Sequence, residues 1–221
     1  MKSLIIIIVS FCFLQAINGQ TINWNTLDSS KHIVTAGFGW DYSVSYSVGY
    51  GYKLNAKLPI VLNFNFIKAS GENHLDDFKT KIGGQIVLLN LSNIKGAITL
   101  NGVYRRYQND LVRLQNFGSE MRGAFGYYKP KWFIAIEAHF DKAIVTHFKH
   151  SDRYREDIYS DVIDGWYEPA TGGNFSYGFQ AGYSFRKSDI TFNFGKIITQ
   201  DFETTPLIPF YLRLGYNYKI N

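Results

Sequence analysis

Cysteine is nearly missing from this chain. Its 221 residues hold one, Cys12, inside an apolar run near the N-terminus, so disulfides and thiol chemistry are excluded once that run is removed. Long apolar runs are missing too: beyond Leu14 no segment supplies the ~20 consecutive apolar residues of a membrane-crossing helix. Any crossing must be made by strands. Charge of one sign is not in excess, with 23 Lys and Arg against 18 Asp and Glu and a formal net charge of +5. No Lys/Arg cluster is interleaved with stacking aromatics, so nucleic acid is not an expected partner. Helical periodicity, a solenoid repeat and a second domain are likewise absent.

What is present begins with Lys2, the apolar run from Leu4 to Leu14, and the small or polar residues Ala16, Asn18 and Gly19. This pattern predicts a secretory signal peptide over residues 1–19, cut before Gln20. The run is too short for a transmembrane helix, and bulky Phe11 before Cys12 argues against a lipoprotein cleavage site. Residues 20–221 then form one domain, a length ordinary for an all-β protein.

Side-chain alternation fills most of that domain. Residues 210–220 place Phe210, Leu212, Leu214, Tyr216, Tyr218 and Ile220 on one parity and Arg213, Asn217 and Lys219 on the other. In extended backbone successive side chains point to opposite faces, so one face is aromatic and the other polar. Residues 35–54 alternate in the same way. Because about 9 to 11 tilted residues cross a bilayer, that run is read as two strands with a tight turn near Asp41-Tyr42-Ser43. Further period-two segments cover residues 58–68, 77–90, 94–105, 113–128, 132–148, 174–186, 189–200 and 208–220. The total is ten strands, with eight or twelve as alternatives. Short links at 55–57, 91–93, 129–131 and 187–188 alternate with longer ones at 69–76, 106–112, 149–173 and 201–207. Bacterial barrels show this asymmetry between periplasmic turns and external loops. Residues 20–31 are polar and aperiodic and read as a lead-in.

Alternation alone does not say which face is wet, since a soluble lipocalin-like barrel shows the same pattern inverted. Aromatics make up 17% of the chain, and Tyr52, Tyr127, Trp132, Phe148 and Tyr218 fall near strand ends, where interfacial girdles belong. The opposite parity is rich in Gly, Ser, Asn, Gln and charge. Residues 210–221 also resemble the aromatic closing strand of Gram-negative outer-membrane β-barrel proteins. The resemblance implies an all-β, transmembrane, antiparallel up-and-down barrel in the cell outer membrane, in contact with outer-membrane lipid and lipopolysaccharide. It further implies recognition by the barrel-assembly machinery through the C-terminal strand. That strand ends in Ile220-Asn221 instead of an aromatic, which leaves the recognition to Tyr216 and Tyr218.

Segment 132–148 puts Glu137, His139 and Asp141 on its polar face, and segment 113–128 puts Glu120 and Arg122 on its own. A turn at Lys129-Pro130-Lys131 makes paired residue numbers sum to about 260, and same-face pairing needs an odd sum. Arg122 therefore lies beside Glu137 or beside His139. The expectation is a lumen charge ladder of Glu120, Arg122, Glu137 and His139 that fills a narrow polar interior with satisfied bonds. The chemical alternative is a carboxylate and imidazole that activate water; in this Glu137, His139 and Asp141 resemble the Asp/His surface proteases of ten-stranded barrels, the omptins.

Farther along, His147, His150 and Ser151 resemble the His/Ser pair of outer-membrane lipid A deacylases, whose serine attacks an acyl ester with His as base. His150 and Ser151 are adjacent, whereas that family spaces the pair one residue apart. The group matches no closed zinc motif, and neither a metal nor a cofactor is expected. Lys142, Lys149, Arg153 and Arg155 form a basic rim suited to lipopolysaccharide phosphates. In the loop 149–173, Tyr154, Trp166 and Tyr167 stand among carboxylates that lack EF-hand spacing and are candidates for contact with a ligand. The expected function is that of an integral outer-membrane barrel: a narrow porin-like or plugged channel, or a structural or surface-binding barrel. The alternative is a barrel enzyme acting on envelope lipid or peptide.

Overall fold

The period-two segments become strands because each can bury one face only, and hydrogen bonding to neighbours satisfies the backbone in between. In a computed structural model, residues 20–27, 30–40, 43–71, 75–168, 173–203 and 205–221 are described. The expected signal peptide lies outside them, as do Asp41 and Tyr42 of the expected first turn. The strands are β1 (His32–Trp40), β2 (Val44–Leu54), β3 (Ile60–Ala69), β4 (Asp77–Leu91), β5 (Ile94–Gln108) and β6 (Val112–Tyr128). They continue with β7 (Trp132–His150), β8 (Gly165–Tyr167), β9 (Gly173–Phe185), β10 (Ser188–Thr199) and β11 (Phe210–Ile220).

All neighbours are antiparallel. β1 pairs with β11 from His32↔Ile220 to Trp40↔Leu212, and this closes a ten-stranded barrel. β8 is not part of the wall; it lies against the upper end of β7 through Thr146↔Tyr167 and Phe148↔Gly165. β1 and β2 are separate strands that meet at Trp40↔Val44, so the twenty-residue alternating run does divide there.

Burial is inverted relative to a water-soluble protein. Outward-facing Leu62, Phe64, Ile82, Leu100, Met121, Ile136 and Phe179 are exposed, while Asn63, Asn65, Lys81, Asn101, Glu120, Arg122, Glu137 and Asn193 are buried inside. Buried charge and exposed apolar surface are each unusual in water. Aromatic rings gather at two levels on the outer surface. Tyr127 and Trp132 meet at 5.8 Å near the lower end, where the links are short. Phe66, Phe78, Tyr104, Phe117 and Trp166 form a line of successive contacts of 5.0 to 6.0 Å near the upper end. On β6 the two levels are Tyr127 and Phe117, a separation that matches the about 9 to 11 tilted residues of a bilayer crossing.

Four departures from the expected layout matter. β4 to β7 run 15 to 19 residues against 9 to 11 in β1 to β3, so the link expected at 106–112 shrinks to residues 109–111 and one side of the barrel stands taller. A bulge on β7 follows Gly118↔Ala143, since the next pair is Phe117↔Val145 and Ile144 is left over. One extra residue reverses the parity of a period-two strand: above it Thr146 and Phe148 face inward and His147 outward. Phe148, expected in the girdle, therefore lines the mouth. The loop expected at 149–173 lies between His150 of β7 and Gly173 of β9 and contains helix α1 (Asp152–Asp157), capped by Ser151, and β8.

The fourth departure is the largest. Residues 20–27, expected as a lead-in, enter the lower end of the barrel and fill it. Ile22, Trp24 and Leu27 are buried in one apolar cluster with Ile33, Val61, Val87, Ala97, Tyr128, Phe133 and Ala135.

Candidate functional site

The lumen is organised in three layers, and the lowest is the plug. Its apolar residues supply burial, and most of its polar groups find partners on strands from all round the wall, while the buried side-chain amide of Gln20 meets none. The Gln85 amide donates to the Gln20 carbonyl at 2.9 Å, Thr21 Oγ1 donates to Asn193 at 3.0 Å, and Asn217 donates to the Thr21 carbonyl at 2.7 Å. Asn23 donates to the Lys129 carbonyl at 2.9 Å and to Ser184 Oγ at 2.8 Å. Lys219 holds Asp189 at 2.6 Å and also donates to Thr26. Gly51 makes room for this arrangement, because a Cβ there would stand 2.3 Å from the Gln20 amide oxygen.

The middle layer is ionic. Lys81 on β4 pairs with Glu120 on β6, whose other oxygen accepts from Asn101 at 3.0 Å. Arg122 stands directly opposite His139 in the β6–β7 register, one of the two positions that the turn allows. Its guanidinium also lies 3.7 Å from Glu137. Glu137 accepts from Asn193 at 3.0 and 3.1 Å and from the Tyr211 hydroxyl at 2.8 Å. Arg213 stacks over the Tyr211 ring at 4.6 Å, and His139 meets the same ring edge-on at 5.6 Å. Between plug and ionic layer the free space is about 20 Å³, room for about one water.

Above the ionic layer the lumen widens. A cavity of about 160 Å³ is bordered by Lys79, Lys81, His139, Ser176 and Arg213. It gives way to a vestibule of about 490 Å³ lined by Arg105, Tyr107, Asn116, Asp141, Thr146 and Phe148. Arg105 is forked onto Asp77 at 3.1 and 2.8 Å.

The catalytic candidates are not assembled into a working set. Glu137, His139 and Asp141 share the inner face of β7, but Glu137 is already held by Arg122, Asn193 and Tyr211, and no acceptor or donor meets buried His139 Nδ1. Asp141 accepts instead from the Asn174 backbone at 3.3 Å. His147 faces outward against Trp166 at 4.9 Å. His150 faces the mouth, where its ring and its backbone N–H both reach Asp164 at 2.9 Å. Ser151 Oγ is used as a helix cap, accepting from the Tyr154 N–H at 3.1 Å. Arg155 completes the loop clasp with 2.9 Å contacts to Asp164 and to the His150 carbonyl. The His150 backbone N–H and ring, with Arg155, hold the Asp164 carboxyl well below the usual carboxylate range.

The ligand candidates separate as well. Tyr154 packs on His150 at 4.7 Å and Tyr167 on Phe148 at 5.5 Å, both on the mouth side, while Trp166 joins the outer aromatic line. Sequence reasoning missed Lys81, Asn101, Asn193, Tyr211 and Asp164 as partners. Their strand segments were visible, but which strands face one another across a lumen is set by closure and not by local pattern. Among the described residues no grouping of His, Cys, Asp and Glu is suited to hold a metal ion.

No protein-family model matches the sequence, and no curated protein matches it. Among solved structures the chain is similar to the Yersinia pestis outer membrane protein Ail, a backbone structure in a phospholipid bilayer nanodisc. The identity is 11%, the likeness covers 87% of this chain and 100% of that one, and the TM-score is 0.33. Likeness at that level carries no functional inference; the closed antiparallel barrel stands on its own register.

Proposed function

We propose that this chain is an integral outer-membrane β-barrel with a sealed lumen, a structural or surface-binding barrel and not a conducting pore. The observation that carries the reading is the plug: residues 20–27 occupy the lower end and leave about 20 Å³ between themselves and the ionic layer. The inverted burial and the two aromatic levels support a bilayer setting, because an apolar outer band flanked by aromatic girdles is what lipid selects. The short-link end then faces the periplasm and the taller end the exterior. Export by residues 1–19 and insertion through β11 complete this reading.

Planar-bilayer recording tests it. The intact mature protein is expected to give no open-pore steps, and deletion of residues 20–27 is expected to produce them. Large steady currents from the intact protein would sink the proposal. Retention in the membrane pellet after an alkaline wash, with heat-modifiable gel mobility, separates this reading from a soluble periplasmic barrel.

A further inference from the structure

Charge is sorted by face. Every Asp or Glu within a strand, namely Asp77, Glu120, Glu137, Asp141 and Asp189, lies on an inward face. The Lys and Arg on outward strand positions, Lys68, Arg106, Arg113, Lys142, Lys149 and Lys196, all lie toward the upper end. The register places five titratable groups of one kind together there. Lys68, Phe78, Arg106, Gln115, His147 and Trp166 follow one another as direct cross-strand partners from β3 to β8. One step higher, Gln108, Arg113 and Lys149 are partners in the same way.

Three details say that this surface lacks an anion. Arg113 and Lys149 are like charges directly opposite, an arrangement that destabilises a sheet unless something neutralises it. The Nε–H groups of Arg106 and Arg113 are shielded from solvent and meet no acceptor. The loop carboxylates above do not supply one either: Asp110 and Asp157 pair with Arg153, and Asp164 with Arg155. Directly below the cations, on the same face, stand Phe66, Tyr104 and Phe117, and Phe78 in the cation row packs on Phe66 and Tyr104.

We infer that the outward surface of Lys68, Arg106, Arg113, His147 and Lys149 binds the phosphate groups of a phosphorylated, acylated glycolipid of the outer leaflet. This rests on the membrane reading given above and names the partner of that surface. Guanidinium groups match phosphate oxygens two at a time. Only a lipid places acyl chains on the aromatic line while its phosphates reach the cations, which is why a membrane lipid fits better than free phosphate.

The test uses the mature protein in neutral phosphatidylcholine nanodiscs. Lipid A carrying both phosphates and the same lipid after enzymatic dephosphorylation are titrated in turn, with bound lipid read by native mass spectrometry. The phosphorylated form is expected to bind more tightly, with about fivefold lost for each cation removed in Arg106→Gln, Arg113→Gln and Lys149→Gln. Lys149→Arg should keep the wild-type affinity. Equal affinity for the two lipids, or an unchanged preference in the triple variant, overturns the proposal. Competition by millimolar inorganic phosphate also overturns it, in favour of a free-anion site. The wild-type comparison stands if a variant fails to fold. Failure of the protein to reach its heat-resistant form in the discs, before any lipid A is added, counts against the membrane reading itself.

Discussion

The two ends of the barrel solve opposite problems with the same alternating strands. At the lower end the N-terminal segment fills the lumen, and its Thr21 and Asn23 side chains and the carbonyls of Gln20 and Thr21 are bonded to Asn193, Ser184, Gln85 and Asn217. At the upper end the walls rise unequally, the space opens to about 490 Å³, and the polar groups meet solvent. The lower end behaves as a packed core and the upper as a surface. A substitution of the same chemical kind should therefore cost far more below than above.

The sharpest way to break that contrast is to remove residues 20–27. Conductance steps should appear, and the heat-modifiable band should melt well below the wild type while the upper loops keep their protease pattern. Next, Glu137→Ala leaves Arg122, Asn193 and the Tyr211 hydroxyl without their acceptor. Breaking a buried pair costs about 3–5 kcal/mol, measurable by urea unfolding in lipid. The matching change above, Asp77→Ala, removes one partner of a partly exposed Arg105 and should cost about 1 kcal/mol or less; equal losses would erase the contrast. Between these two lies Gly51→Leu, which must displace the flexible Gln20 side chain, at about 1–3 kcal/mol.

The smallest effect concerns pH and the loop clasp. Asp164 is held below its ordinary range, so its contribution is present in full above the unfolded value of about 3.9 and fades only as pH falls through the lower folded value. Limited proteolysis of the loop should be the same at neutral pH and at about pH 5, and Asp164→Asn should expose the loop at both.

The fold was legible because period two is hard to imitate. Residues 208–220 and 174–186 announce their faces one side chain at a time, and the turn at Lys129 to Lys131 set the pairing of Arg122 to within one register step. The inner face of β7 was therefore readable, including Glu137 and His139. Three things were not. The bulge at Ile144 is a single inserted residue, invisible to a pattern that continues on either side of it, and it moved Phe148 and His147 to the wrong faces. Asp164 meets His150 through a loop whose path no local signal fixes. The plug has no period because its residues do not lie on a sheet. Its one clue was apolar Ile22, Trp24 and Leu27 set among asparagines and threonines, a pattern that suits a segment surrounded by polar lumen walls.

The plug also fixes an order of events. Thr21 lies near the start of the described residues, yet its partners Asn193 and Asn217 lie 172 and 196 positions later. Contacts of such separation carry a large loop-closure cost, which pairing of the intervening strands reduces. Asn217 belongs to the strand that meets β1 and closes the wall, so the seat for Thr21 does not exist until closure is complete. Residues 20–27 gain their full set of partners only in the closed barrel, so sealing of the lower end depends on closure of the wall and not the reverse.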